Sequence, residues 1–392
     1  MLRESTEDAV VVPGIAAPST IACLRSLGKR GVRTIVVSED SETPAFASKY
    51  CDETVRTTDP NEDMDQYGRL LLDLASRESV QTIIPVREPD IYHLANRKAE
   101  FAEHVGTPWP DFERLERVQD RKRLFEIAES AGVGVPETRL LSEWDRWDEQ
   151  TIVKSRYNIV VADNEAHYPG VEYIEPNSTP DTAALIEEMG HEPIAQEYMS
   201  DSAEYGFFAL FDNGSPVATF QHRQIRAYKY SGGPSAFREA VHIPELKRAG
   251  LRLLDALDWH GLAMVEFKRD DGEFKLMEIN PRFWSSLPFS VTAGVDFPYH
   301  FYQLAGGESV DAADGYDVGA AGHLVRGEVS YLASVLFHDS SLAERPSPLS
   351  ALNTVGSSLF HHPRFDYLDL DDPKPFVQDI RRTIKNTVTG RP

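Results

Sequence analysis

Apolar and polar positions along this chain follow one rhythm near the start and another in the second half. AVVVPGI (9–15) is a short apolar run closing on Pro-Gly; in the following STIACLRSLGKRG, Ile21, Leu24 and Leu27 recur at helical spacing and the pattern stops at Gly31. VRTIVVS, a helix-patterned MDQYGRLLLDLASRE, VQTIIPV and a second helix-patterned PDIYHLANRKAEFAEHV continue the alternation. Strand and helix in turn predict a doubly wound parallel α/β sheet over roughly residues 8–112, with ligand-facing loops PGIAAPST and PVREPD at the carboxyl ends of its strands. The first loop lacks the G-x-G-x-x-G glycines of a dinucleotide site.

A different pattern follows. FERLERVQDRKRLFEIAESAGVGVPETRLL predicts a helix with Leu124, Ile127 and Ala128 facing inward, ended by Gly132, Gly134 and Pro136. TIVKSRYNIVVAD, VEYIEPN and PIAQEYM read as strands and DTAALIEEMG as an Asp-capped helix, an α+β arrangement. From 201 the pattern is mainly antiparallel: one hairpin turns at Asn213-Gly214 and another, GLAMVEFKRDDGEFKLMEIN, at Asp271-Gly272, with KYSGGPSAFRE as a loop between them. Beyond 308 come a Gly- and Asp-rich patch, a helix near GEVSYLASVLF and a polar tail. The expected division is 1–112, 113–200, 201–308 and 309–392, an α/β domain followed by two α+β lobes with antiparallel sheets and an extension.

With 392 residues the chain can form more than one core around a shared cleft. Its net charge of −23 is spread along the sequence, and arginines outnumber lysines by more than two to one. That field repels a phosphate backbone, so nucleic acid is not an expected partner. A distributed acidic surface poor in lysine also suits concentrated salt, which points to a halophilic protein. Cys23 and Cys51 lack metal-site or disulfide spacing. The start, MLRESTEDAV, has no basic segment leading into an apolar one, and no stretch approaches the roughly 18–20 apolar residues of a membrane span. The expected location is cytoplasmic, away from membranes.

Polar residues within the last hairpin carry the candidate chemistry. Glu266 and Glu278 lie on its two arms among Met264, Val265, Phe267, Leu276, Met277 and Ile279, where unpartnered acids are costly. If the turn has three residues with Gly272 left-handed, Glu278 opposes Met264 and shares a face with Glu266 and Asn280; a two-residue turn breaks that convergence. Two carboxylates and an amide on one wall suit Mg2+, which takes a few carboxylates together with phosphate and water oxygens. Exposed acids salt-bridged to neighbours are the plainer alternative.

VEFKRDDGEFKLMEINPRFWSS, preceded by IVK and AQEYM, resembles the ATP-grasp superfamily, nearest to its carboxylate-amine ligase branch, over roughly residues 8–308. The resemblance makes 1–112 the domain that precedes the ATP-grasp lobes, 113–200 the first lobe and 201–308 the second, metal-binding lobe. It implies ATP and Mg2+ (or Mn2+), with metal on Glu266, Glu278 and Asn280 and Arg282 stabilising charge on the transferring phosphoryl group. Lys154 matches the phosphate-binding lysine, Glu197, Tyr198 and Met199 the adenine hinge, and Glu204 the ribose site. Two departures stand out. Where the family has a lysine after Asp, this chain has QDRKR, so Arg121 or Lys122 must serve, spacing favouring Arg121; and SRYNIVVADNEAHYPGVEY, with Gly170 alone, lacks a glycine-rich flap.

Arg238, with His222, Arg223, Arg226 and Lys229, makes a basic cluster around Ser231, Gly232 and Gly233 that suits a carboxylate substrate and a γ-phosphate. Arg238 is assigned a catalytic role, Ser231–Gly233 the role of a mobile loop, and Trp284, Ser285 and Ser286 the border of the acceptor. The implied activity joins a small carboxylate to an amine through an acyl phosphate, releasing ADP and phosphate. Alternatives are a carboxyphosphate-forming enzyme, of carbamoyl phosphate or carboxylase type, and a non-catalytic ATP-binding regulator. A homodimer is the oligomer considered.

Overall fold

Four short strands, β1 (Ala9–Pro13), β2 (Arg33–Ser38), β3 (Glu53–Arg56) and β4 (Val80–Ile83), form an all-parallel sheet in the order β3-β2-β1-β4. The computed structural model describes residues 8–199, 203–310 and 315–389, so the expected boundary at 200/201 lies outside the described residues. β1 is buried along its whole length, as a central parallel strand must be when both sheet faces are covered. Helices α1 (Pro18–Gly28), α2 (Met64–Ala75), α3 (Glu88–Asn96) and α4 (Lys98–Ala102) connect or follow the strands. The apolar pattern does not reveal β3, because its residues alternate half-buried and exposed at the sheet edge.

The expected single helix after residue 112 is two, α5 (Phe112–Gln119) and α6 (Arg121–Ser130). Asp120 separates them. Its backbone is extended, its carboxylate accepts from the backbone N–H groups of Lys122 and Arg123, and it also accepts from Arg156 at 2.6 Å. An aspartate with that geometry starts a new helix in preference to continuing the old one.

β5 (Thr138–Leu140), β6 (Thr151–Lys154), β9 (Val171–Ile174) and β10 (Ile194–Glu197) form an antiparallel sheet in the order β5-β10-β6-β9, with α7 (Thr182–Met189) before β10. β7 (Val160–Ala162) and β8 (Glu165–His167) project as a separate hairpin. The largest sheet has six antiparallel strands: β11 (Ala203–Asp212), β12 (Ser215–Lys229), β13 (Gly232–Ala240), β14 (Gly261–Asp270), β15 (Glu273–Asn280) and β16 (Ala321–His323), ordered β15-β14-β11-β12-β13-β16. α8 (Pro244–Ala256), α9 (Leu287–Thr292) and α10 (Phe297–Ala305) accompany it.

KYSGGPSAFRE is therefore not a loop. It is the tip of β12 and all but the last residue of β13, turned at Tyr230-Ser231, with Gly232 and Gly233 at φ of 123° and 106°. Its polar composition hid the strand.

The chain after 308 is also well integrated. β16 extends the large sheet, α11 (Val325–Phe337) crosses β12 and β13, α12 (Pro348–His361) packs on α11, and α13 (Lys374–Thr389) lies against residues 44–47. Buried ion pairs fasten this segment: Arg226 to Glu328 at 2.6 Å, Arg238 to Asp366, and Arg25 to Asp372 at 3.1 Å. Breaking such a pair strands a charge. Replacing Asp366 by alanine should cost about 3–5 kcal/mol in urea unfolding, because Arg238 would remain buried without its counter-ion; a loss below about 1 kcal/mol would show that the pair does not secure the segment.

Candidate active site

β14 and β15 form the floor of the site. Asp271 and Gly272, at φ of 46° and 87°, make the two-residue turn that the sequence reading treated as destructive, since Asp270 pairs with Glu273. The pairing then shifts by one: Phe267 faces Leu276, but Glu266 faces Glu278, leaving Met277 as an extra, bulged residue. The bulge restores what the short turn would have destroyed. Glu278 opposes Glu266, not Met264, and Asn280 opposes Met264, so both acids and the amide share a face by a different route from the expected one.

From the turn inward, this face runs in ordered rows. Lys268 and Lys275 are paired, and Lys275 reaches Glu197 at 2.8 Å while Lys268 lies 3.6 Å from Glu204. The next row is Glu266 and Glu278, followed by Asn280 and then Arg282. The two glutamates expected at the nucleoside end thus attach at one end of the face, and the residues expected to hold a metal lie further along it. Lys268 also sits 6.0 Å from the Tyr198 ring, which meets Tyr173 edge-on at 6.0 Å, an aromatic pair beside Glu204. Met199 is buried.

Side chains from three other segments reach the acidic pair. Arg121, the first residue of α6, approaches Glu278 at 3.2 Å and donates to the carbonyls of Ser155 and Tyr157 at 2.9 and 3.1 Å. Lys122 instead points outward to Glu126. Lys154, at the end of β6, is pushed down to about 7 by burial and then by the Arg121 charge, against the pull of Glu278 and Glu266. Arg282 donates to Asn280 at 3.1 Å and to Glu88 at 2.6 Å. Glu88 starts α3, in the PVREPD loop, so the parallel-sheet unit contributes directly to the site. Sequence spacing did not identify that partner, nor Lys268 and Lys275; the position of Glu88 after β4 was its one signal.

The electrostatics are those of a site short of positive charge. Glu266 is raised to about 8 by burial, then by the charges of Glu278 and Glu204. Burial also opposes the charge on Glu278, but Arg121 and Lys154 outweigh it and hold that carboxyl below its usual range. Asn280 bridges the acids, donating to Glu266 at 3.0 Å and Glu278 at 3.2 Å. Among the described residues no group of three or more His, Cys, Asp or Glu side chains gathers to hold a metal by itself. Two carboxylates and an amide oxygen fit Mg2+, whose remaining positions are filled by phosphate and water oxygens.

The segment without the glycine-rich flap forms the β7–β8 hairpin, turned at Asp163-Asn164, both left-handed at φ of 51° and 67°. Its tip is latched to the start of α2. The Asn164 carbonyl accepts from the Met64 N–H at 3.0 Å, its side chain accepts from the Asp65 N–H at 2.8 Å, and its amide donates to Asp63 at 2.9 Å. Tyr168, just beyond β8, has its hydroxyl pKa raised by burial and then by Glu88 and Asp90.

The expected basic cluster separates. Arg238 lies on the same sheet face as Glu266, three strands away or roughly 14 Å at sheet spacing, held by Asp366. His222 is on that face too, opposite Gly206, and is buried with its pKa well lowered by burial and by Arg238. Arg223 instead pairs with Glu239 at the surface, and Arg226 is buried against Glu328. Ser231 lies in the β12–β13 turn, with Gly232 and Gly233 opening β13. Trp284 does not border an open site: it is a core residue against Phe208 and Phe297, in the connection that leads from Arg282 inward to α9. Ser285 is exposed and Ser286 buried.

The chain has the ATP-grasp fold. Residues 213–321 match the family model described as ATP-grasp in the biosynthetic pathway with Ter operon. Similar solved structures include N5-carboxyaminoimidazole synthetase from Staphylococcus aureus complexed with ADP, with 17% identity, a TM-score of 0.60 and coverage of 80% of this chain and 81% of that one. Another is the biotin carboxylase domain of Hydrogenobacter thermophilus 2-oxoglutarate carboxylase with MgADP, ADP and bicarbonate, with 15% identity, a TM-score of 0.60 and coverage of 80% and 73%. Among curated proteins, the carbamoyl phosphate synthase large chain of Brucella suis biovar 1 is 29% identical over 133 residues, 32% of this chain but only 11% of that much longer one. No described helix is long and apolar enough to cross a membrane.

A metal held by Glu266 would bind with proton release. With Glu266 protonated below about pH 8, Mg2+ must displace that proton, so apparent affinity should fall as pH drops, by at most about tenfold per unit. Calorimetry in buffers of different ionisation enthalpy should detect proton release near pH 7, and Glu266→Gln should abolish it; release undiminished in that variant would move the metal elsewhere.

Proposed function

We propose that this protein is a Mg2+- and ATP-dependent ligase that joins a small carboxylate to an amine through an acyl phosphate, releasing ADP and phosphate. The observation that carries the reading is the meeting of Glu266, Glu278, Asn280 and Arg282 with Lys154 and Arg121, oxygen donors for a metal beside fixed cations for phosphate. Bound Mg2+ supplies Lewis-acid neutralisation of the nucleotide phosphates. It would be held by Glu266, Glu278 and Asn280, with Mn2+ able to replace it.

The protein's own groups have separable tasks. Lys154 and Arg121 bind phosphate oxygens; the Lys154 pKa, lowered by burial and then by Arg121, rises toward its normal value when an anionic phosphate sits beside it. Arg282, anchored by Glu88 and Asn280, presents a guanidinium where phosphoryl transfer to a carboxylate gathers negative charge. Glu197, Tyr198 and Met199 would border the adenine and Glu204 the ribose. Arg238 and His222 lie on the same face but both are buried, Arg238 in its pair with Asp366, so their part toward the acyl substrate is to back the wall behind it. The latched β7–β8 hairpin takes the place of the glycine-rich flap in covering the phosphates and excluding water.

A carboxyphosphate-forming enzyme is the second reading, supported by the bicarbonate named with one similar structure. The acidic, lysine-poor composition favours work in concentrated salt.

A screen of amino acids and small carboxylates in high potassium chloride should find amine-dependent ADP release, reduced at least about a hundredfold by Glu278→Gln. Release that needs bicarbonate and no amine supports the second reading. Nucleotide binding without turnover across the panel indicates a regulator, and unchanged turnover in Glu278→Gln rejects the metal assignment.

A further inference from the structure

Two consecutive helices contradict the character of the rest of this chain. α11 presents Val329, Leu332, Ala333, Leu336 and Phe337 at the i, i+3, i+4, i+7, i+8 positions of one stripe, and that stripe faces outward: Val329, Ala333, Leu336 and Phe337 are exposed and Leu332 is half-buried. Its opposite side, with Glu328, Ser334 and Val335, is buried against the sheet. α12 repeats the arrangement, with Ala351 and Val355 inward and Leu349, Leu352 and Phe360 outward. Phe337, Phe360 and Leu349 are 84%, 82% and 81% exposed.

The helices pack on one another, and both cover one buried group: Arg226 donates to Glu328 of α11 and to Ser358 of α12. Their outer faces therefore adjoin. Taking large apolar side chains at about 150–250 Å2 each, Val329, Leu336, Phe337, Leu349, Leu352 and Phe360 expose roughly 700 Å2, above the largest apolar patch of an ordinary monomer.

Charge selects the occupant. Neither 329–337 nor 346–360 contains an Asp, Glu, Lys or Arg, although 26% of the whole chain is charged and its net charge is −23. Two copies can bring these faces together without opposing like charges at the centre of the contact. An anionic membrane is disfavoured by the absence of the basic residues that an interfacial helix uses. The exposed area is close to the roughly 800 Å2 per partner of a standard interface, and ionic groups such as Arg345 and Asp339 lie in the connection between the helices, suited to a polar rim.

We propose that the outer faces of α11 and α12 are the two-fold interface of a homodimer, the pair of helices from one copy packing on the same pair of the other. The contact has a consequence for the site. Gly327 of α11 packs on Tyr228 and Ala236, so an interface that fixes α11 also fixes the end of the β12–β13 hairpin beside Arg238.

Sedimentation equilibrium of the full chain should give twice the 44.0 kDa chain mass at about 10 μM, with dissociation weakening as potassium chloride rises from 0.1 to 1 M and the screening length falls from about 10 to 3 Å. Phe337→Glu and Phe360→Glu should each raise the dissociation constant at least about thirtyfold, since a two-fold contact contains every substitution twice. Leu349→Glu provides a third variant at an exposed first turn, and unchanged thermal unfolding of the dissociated chain at low concentration verifies folding. A monomer at about 100 μM in 1 M salt overturns the proposal. So do variants that dimerise as tightly as the parent, and so does flotation of the parent, but not the variants, with phosphatidylcholine vesicles, which would make the face a lipid-binding surface.

Discussion

Two carboxylates held face to face in a largely enclosed setting are the constraint around which this protein is arranged. Glu266 and Glu278 repel each other, and partial burial deprives both of much of the water that would stabilise their charges. What makes the pair tolerable comes from far apart in the chain: Arg121 from the start of α6, Lys154 from the end of β6, and Arg282 through Asn280, itself anchored by Glu88 at the start of α3. Each of these elements is positioned to deliver one cation or one hydrogen bond to that face. The acidic pair thus organises the relation of three sheets.

Similar reasoning explains the fate of the other basic residues. In so acidic a chain, a run such as HRQIRAYK is conspicuous, yet two of its neighbourhood's arginines are already committed to the C-terminal segment. Arg226 and Arg238 are sealed by Glu328 and Asp366, which lie more than a hundred positions away in sequence. The segment after 308 is consequently part of the large sheet's environment, meeting the sheet face that carries Glu266 through the buried Arg238–Asp366 pair.

Much of this was legible from local patterns, and the failures have common physical causes. The parallel strands were visible because buried β1 and β2 are continuous apolar runs, whereas β3 and β13 were not, because an edge strand and a Gly-rich polar strand carry little apolar signal. The Glu-x-Asn-x-Arg spacing was readable without a structure, and of the two candidates after Asp120 it is Arg121, the one spacing favours, that reaches Glu278 while Lys122 turns to Glu126. Partnerships between distant segments were not readable: nothing near Glu88 declares Arg282 as its partner, and nothing in Asn164 announces its attachment to α2. Helix α12 was missed because its outward face is as apolar as its inward one, so no amphipathic contrast marks it.

The bulge at Met277 converts a question of length into one of parity. A strand presents its side chains alternately, so the distance from the Asp-Gly turn to Glu278 matters only as odd or even relative to the distance to Glu266. Deleting Met277 alone would leave Glu266 opposite Glu278 in a regular ladder, whereas a three-residue turn cut from the same chain length keeps the shared face only without the bulge. A two-residue turn with a bulge and a three-residue turn without one are thus two layouts of one chain length, and the turn can be remodelled between them while the two carboxylates stay on their common face.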